Sequence, residues 1–326
     1  MTDGILYMAR TRAWYLALGY DNPYVWAHHE DAPPFAPLAQ PLAKTTLTLV
    51  TTAVPFQPDK GEQGPGAPYN AAAKFHQVYS GDAGKDHDLR IAHVGIDRKH
   101  TSMEDSGTWF PLPLLQRWAR EGRFLLAPRF HGFPTNRSQR RTRTTDAPEL
   151  LARCQADGAK AAILVANCPI CHQCLALAAR HLEAHGIATV LMGCARDIVE
   201  HCGVPRFLFS DFPLGNAAGR PHDAASQEET LRLALALLTE AKAPRATWQS
   251  PLIWAKNDEW KQDYANPEGL TPEERARLYA EAEAARIQSR ASRQHALREY
   301  AEKAAAKRDQ PGENSNGFSM RPAGRA

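Results

Sequence analysis

The sequence predicts an α/β fold: a parallel sheet in two Rossmann-like lobes with helices on both faces, and a C-terminal helical extension. Strand-like and helix-like segments alternate between residues 46 and 241, which is typical of parallel sheets. Residues 161–166 are all apolar, as expected of a strand covered on both faces. The 326-residue chain is 43% hydrophobic and 23% charged, a globular composition that can fill cores of this size.

The first 145 residues are predicted to form an N-terminal helix and loop (1–40) and a first lobe (41–145). Helical spacing of apolar residues favours a helix over residues 5–19. Residues 57–87 contain many Gly and Pro residues, which indicates a loop. The other elements expected here are strands over 46–52 and 89–94, a helix over 112–120 and a short apolar run over 124–127.

Residues 146–245 are predicted to form a second lobe that contains most of the cysteines. Helices and strands are expected to alternate here. The expected helices span residues 147–156, 171–186, 197–201 and 223–241, and the expected strands span residues 161–166, 188–192 and 206–209.

Residues 246–326 are predicted to form a C-terminal arm. Trp248, Trp254 and Trp260 indicate a segment that folds back onto the body. Thr271 and Glu274 match a capping box at the start of a helix that runs to about residue 307. Residues 309–326 are polar and are expected to be disordered.

Composition and charge argue against several classes of protein. No apolar run reaches the length of about 18 residues that spans a membrane. The net charge is only +3, and the basic cluster over residues 137–143 lacks interleaved aromatics, so it suits a solvated loop or the rim of an anion site better than a nucleic-acid face. No basic segment precedes an apolar one at the start of the sequence, so we expect a cytoplasmic protein with reduced thiols.

Three of the six cysteines, Cys168, Cys171 and Cys174, lie within seven residues where a predicted strand turns into a helix. Unpaired N–H groups and the helix dipole favour a thiolate at that position, so the pKa of Cys168 or Cys171 should be lowered. The carboxyl edge of a parallel sheet is also where α/β folds bind ligands. A thiolate there can attack a substrate or a disulfide, and a second thiol can resolve the adduct.

Other interpretations of the three cysteines remain open. The spacing also suits a zinc or iron–sulfur site of a regulatory protein, with His172, Cys194 or Cys202 as a further zinc ligand. A thiol-dependent carbon–sulfur lyase or desulfurase would use the same residues, and the thiols could instead be inert and buried.

Further candidate residues lie near the ends of predicted strands. His93 could act as a catalytic acid or base, since a histidine titrates near neutral pH. The candidates for substrate binding are Asp97, His100, His172 and Asp211. Polar residues at these positions can equally cap loops, and His172 could be an exposed helix side chain.

The cysteine run resembles the selenoprotein B family of the glycine, sarcosine, betaine and D-proline reductases. In that family a selenocysteine opens a U-x-x-C-x-x-C run after a hydrophobic strand, and Cys168 stands at its position. The resemblance spans roughly residues 40–240, and Gly95 replaces the family's second histidine. The other similar segments are residues 44–52, 88–97, 110–115, 121–122 and 212–221.

The resemblance implies a reductase that cleaves a bond of a small-molecule substrate. Cys168 would be the attacking atom, and Cys171 or Cys174 would resolve the adduct. We expect no tightly bound cofactor, an external dithiol or thioredoxin-like protein as the electron donor, and a homo-oligomer.

Overall fold

A computed structural model describes residues 4–22 and 24–308 of the chain. It has a mostly parallel central sheet, helices on both faces and a long C-terminal helix, which confirms the predicted fold class. The predicted disordered tail, residues 309–326, lies outside the described residues. The strands are β1 (Thr46–Thr51), β2 (Val54–Pro55), β3 (Tyr79–Asp82), β4 (Leu89–Arg90), β5 (Leu125–Leu126), β6 (Arg129–Gly132), β7 (Ala161–Val165), β8 (Ala188–Gly193), β9 (Arg206–Phe209) and β10 (Ala246–Gln249).

The main sheet has eight strands in the order β10-β9-β8-β7-β1-β6-β3, and β5 also pairs with β1. Its strands are parallel except for β3, which pairs antiparallel with β6. Leu47 of β1 lies opposite Ala161 of β7, so strands from residues 41–145 and from 146–245 join in one sheet. The proposed division into two lobes stays a prediction.

Alternate residues of the central strands face opposite sides of the sheet. Ile163 packs in a core cluster with Leu115 and Leu231, and Leu164 packs in a second cluster with Leu150 and Leu175. Period-two side chains of a strand that is buried on both sides produce this division. The helices are α1 (Tyr7–Ala17), α2 (Leu112–Arg120), α3 (Gln139–Arg141), α4 (Ala147–Ala156), α5 (Pro169–Ala184), α6 (Arg196–Cys202), α7 (Ala224–Glu240) and α8 (Pro272–Arg308).

Three segments of the sheet region differ from expectation. Only Leu89–Arg90 of the predicted strand 89–94 is paired, and it pairs antiparallel with Val54–Pro55 outside the main sheet. Strand β3 lies within the predicted loop, and β10 extends the other edge of the sheet. Both are edge strands with partly exposed residues, so they lack the continuous apolar signal of β7.

The C-terminal region folds back as expected. Trp260 is buried against the main core, and residues 258–264 form a covering segment beside the loop that follows β4. The backbone N–H of Thr271 donates to Glu274 Oε2 at 2.8 Å, and the N–H of Glu274 donates to Thr271 Oγ1 at 3.2 Å. This is the predicted capping box. Within the described part of the chain, every helix is too short or too polar to cross a membrane.

Candidate functional site

The site begins where β7 leads into α5. Cys168 is the N-cap of α5, with extended backbone (φ −121°, ψ 169°), and its Sγ accepts the N–H of Cys171 at 3.2 Å. Pro169 at the first helical position lacks an N–H that would need a partner. The sequence therefore places one sulfur over the unpaired donors of a helix start, as predicted.

Cys168 and Cys171 form a close pair of thiols. Their Sγ atoms are 2.7 Å apart, and the two residues are 4% and 0% exposed. Either sulfur can donate a hydrogen bond to the other. The separation exceeds the length of a disulfide bond, about 2.05 Å, so both cysteines are free thiols within reach of oxidation.

The electrostatics of the pair are unequal. Burial opposes ionisation of both thiols, but hydrogen bonds from the Cys168 thiol, His93 and Thr52 hold the pKa of Cys171 well below its ordinary value. Burial and the neighbouring Cys171 sulfur raise the pKa of Cys168. The hydrogen bond between the two sulfurs allows one of them to carry a negative charge while the other keeps the proton.

His93 comes to this pair from the loop after β4. It is 4% exposed, and its Nδ1 has no hydrogen-bond partner among the described residues. One ring nitrogen of His93 and the two sulfurs all lie within 4.8 Å of one another. A residue predicted as an acid or base from its place in the chain thus lies beside the predicted thiols.

Cys174 has a different environment. It is fully buried, and its Sγ donates to the backbone carbonyl of Asn136 at 3.2 Å. The hydroxyl of Thr142 lies 3.8 Å from the same sulfur. Burial raises the pKa of Cys174 to about 12, so the thiol remains protonated at neutral pH.

His172 is buried rather than an exposed helix side chain. Its Nε2 accepts the N–H groups of Cys194 at 2.8 Å and Ala195 at 3.1 Å, so Nδ1 carries the proton and donates to the carbonyl of Cys168 at 2.7 Å. Burial lowers the pKa of His172 to about 4. The neutral ring joins the start of α5 to the end of β8; a contact of His172 with substrate stays a prediction.

Two of the three remaining predicted residues, His100 and Asp211, contact the covering segment, and Asp97 is linked to it through His100. Asp97 accepts from His100 Nδ1 at 2.9 Å, and the other ring nitrogen of His100 lies 3.1 Å from Asp263. Asp211 pairs with Lys261 at 2.5 Å. These contacts tie the loop after β4 and the end of β9 to residues 258–264; a role in substrate binding stays a prediction.

A narrow cleft lies beside the site, next to the end of β1; His93 and Thr52 line it, whereas Cys168 and Cys171 do not. Lys74 lines it too, together with aromatic and small residues, and its volume is about 230 Å³ including the open solvent at its mouth. It is too narrow in this conformation to hold a water molecule, so a substrate needs it to widen. The full lining is Thr52, Ala53, Val54, Lys74, Phe75, Gln77, Tyr79, Ala92, His93, Phe133, Pro134 and Thr135.

Thr52 and Lys74 are site residues that the sequence analysis missed. Thr52 follows β1, the neighbour of β7 in the sheet, so adjacency of the two strands would have placed it near Cys168. Burial lowers the pKa of Lys74, while Cys168, Cys174 and Cys171 act in the opposite direction. Lys74 lies in the predicted loop, where no periodic pattern marks it.

The chain is similar to the D-proline reductase subunit gamma of Acetoanaerobium sticklandii. The two sequences are 29% identical over 213 residues, which cover 64% of this chain and 84% of that protein. No protein-family model matches the chain. No solved structure matches it either.

Proposed function

Because the chain is related to the glycine and proline reductase family, we propose that it is a thiol-dependent reductase that reductively cleaves a bond of a small molecule. The relationship suggests a reductase-type function. The observation that carries the thiol mechanism is the Cys168–Cys171 pair, with sulfurs 2.7 Å apart and His93 beside them. Two thiols at this separation can supply two electrons by becoming a disulfide.

In the first step Cys168 is the nucleophile. Its proton moves to the Cys171 sulfur across their hydrogen bond, and the resulting Cys168 thiolate attacks the electrophilic atom of the substrate. A sulfur–substrate bond forms while the bond to the leaving group breaks. The leaving group departs with the bonding electrons and takes a proton, which His93 beside the two sulfurs donates.

In the second step Cys171 resolves the adduct. His93 accepts the proton of Cys171, whose sulfur attacks Cys168 and forms the disulfide. The bond between Cys168 and the substrate breaks, and its electron pair goes to the product, which is protonated. One two-electron bond of the substrate is thereby reduced, and an external dithiol or thioredoxin-like protein must reduce the Cys168–Cys171 disulfide before the next turnover. Cys174 is the less suitable resolving thiol, because its Sγ donates a hydrogen bond to the carbonyl of Asn136.

Controlled oxidation tests the redox pair. Reduced protein treated with glutathione disulfide should form one intramolecular bond between Cys168 and Cys171, seen by peptide mass mapping and reversed by dithiothreitol. Cys174→Ser should still form it, and Cys171→Ser should not. Oxidation that instead links Cys174, or that leaves all six cysteines as thiols, would overturn the proposal.

Alkylation tests the ionisation. Iodoacetamide near neutral pH should modify the pair faster than it modifies a free thiol peptide, and Cys174 should react slowly because burial raises its pKa. His93→Gln should slow the labelling of the pair, since the ring stabilises the Cys171 thiolate. Equal rates for the pair and the peptide would contradict the thiolate assignment.

A further inference from the structure

We propose that His93, Cys168 and Cys171 also bind one soft divalent metal ion, such as Zn²⁺, with a fourth coordination position left to a ligand from outside the chain. The inference rests on the same residues as the proposed function and adds a regulatory state to them. Metal binding and disulfide formation need the same two sulfurs, so each would exclude the other.

The donor set fits this class of metal. Two thiolates and one imidazole are the ligands of tetrahedral zinc sites that keep an open position. The three donor atoms lie within 4.8 Å of one another, and this is the one group of its kind that the structure brings together among residues 4–22 and 24–308. Zinc–sulfur bonds of about 2.3 Å place two thiolates roughly 3.8 Å apart in a tetrahedron. The sulfurs, now 2.7 Å apart, would separate by about 1 Å.

The site also contains an unsatisfied nitrogen. His93 is buried, and its Nδ1 has no hydrogen-bond partner in the described part of the chain. A buried polar atom without a partner is destabilising, and a metal–ligand bond through Nδ1 would remove that cost.

The ligand set differs from the one that the cysteine spacing alone favours. Cys174 donates to the carbonyl of Asn136 and lies outside the three-donor group. His172 has both ring nitrogens engaged, with Cys168 and with the backbone after β8. Residue spacing therefore suggests a three-cysteine site, whereas the fold replaces Cys174 with His93 from a different part of the chain.

Titration of the reduced full-length protein with Co²⁺ tests the site. We expect one ion per chain, with a thiolate-to-cobalt charge-transfer band and the visible absorption of a tetrahedral centre. Cys168→Ser and Cys171→Ser should lose the charge-transfer intensity of one sulfur each. His93→Gln, which removes a ligand, should weaken binding by at least the roughly 10- to 100-fold that loss of an outer-shell partner costs. The matched control is Cys174→Ser, which should bind as the unmodified chain does.

Two results would overturn the inference: no stoichiometric binding by the reduced chain, or loss of binding in Cys174→Ser with retention in His93→Gln. Oxidised protein with the Cys168–Cys171 disulfide is a second control that needs no substitution, and it should not bind Co²⁺. The two proposals can fail separately. Disulfide formation in metal-free buffer tests only the reductase proposal, whereas Co²⁺ binding tests only the metal site.

Discussion

At the scale of single residues, Gly95 sets the spacing between the His93 loop and the start of α5. A Cβ atom at this position would lie 2.7 Å from Cδ of Pro169 and 3.3 Å from the hydroxyl of Tyr264. That hydroxyl also donates to the carbonyl of Gly95 at 3.3 Å. Because the proline ring is rigid, a larger residue at 95 must displace the loop or the helix start.

Gly95→Ala should therefore disturb the thiol pair. We expect a loss of about 1–3 kcal/mol in the free energy of unfolding and slower alkylation of Cys171, because His93 moves away from its sulfur. Urea denaturation and iodoacetamide kinetics measure the two effects. The control is Gly64→Ala, where the added methyl group meets no atom within 4 Å; equal effects of both substitutions would contradict this account.

The residue scale also shows where sequence reasoning about the site succeeds and fails. The position of Cys168 follows from a local pattern, a buried strand followed by a helix that begins with proline. Which way Cys174 and His172 point depends on what packs around α5, and their partners, Asn136 and the backbone of Cys194, are distant in sequence. His93 was a candidate from its strand-like neighbours, although its segment proved to be mostly loop.

At the scale of secondary-structure elements, a buried ion pair joins the end of α5 to β8 and β9. Glu183 Oε1 lies 2.8 Å from the guanidinium of Arg206, whose side chain is 1% exposed. Glu183 also accepts the backbone N–H groups of Ala36 and Thr189. One carboxylate thus connects a helix, two strands and the loop that precedes β1.

Removal of one member of this pair should be costly. Glu183→Ala leaves Arg206 charged, buried and without its carboxylate, so we expect a loss of about 3–5 kcal/mol in the free energy of unfolding. The double variant Glu183→Leu, Arg206→Met should lose much less. Glu200→Ala, which breaks an exposed pair with Arg196, should cost under about 1 kcal/mol. Chemical denaturation measures all three, and an equal loss in both single variants would refute the burial argument.

The elements that sequence reasoning identified are those with strong local signals. Strands β7, β8 and β9 are buried throughout, so runs of largely apolar residues mark them. Strand β3 has the sequence YSGD, with no buried residue, and its pairing with β6 depends on a partner some 50 residues away. Edge strands of this kind depend on tertiary contacts more than on propensity.

At the scale of the whole molecule, several histidines are buried in the neutral form. Burial lowers the pKa values of His76, His131 and His172 to about 4 each. In the unfolded chain a histidine takes up a proton near pH 6.5. Between pH 6.5 and 4 the unfolded state therefore binds more protons than the folded state.

Stability should consequently fall as the solution is acidified through this range. Each of the three histidines contributes a loss of up to about 1.4 kcal/mol per pH unit below pH 6.5. Urea denaturation at pH 7, 6 and 5 measures the slope, and His172→Gln should reduce it by about one bound proton. An unchanged slope in that variant would mean that His172 titrates alike in the folded and unfolded states.

The pairing of β1 with β7 has a consequence for how the Cys168–Cys171 pair becomes reactive during folding. Thr52 and Cys171 both depend on that strand pair, yet the pair joins segments more than a hundred residues apart in the chain. Contacts of such long range form late, because closing a large loop costs entropy before it gives stabilisation. If the region from β7 through α5 folds before β1 pairs with it, Cys168 and Cys171 are ordinary thiols at that stage. A rise in the alkylation rate of the two cysteines during refolding would then mark the time at which β1 pairs with β7.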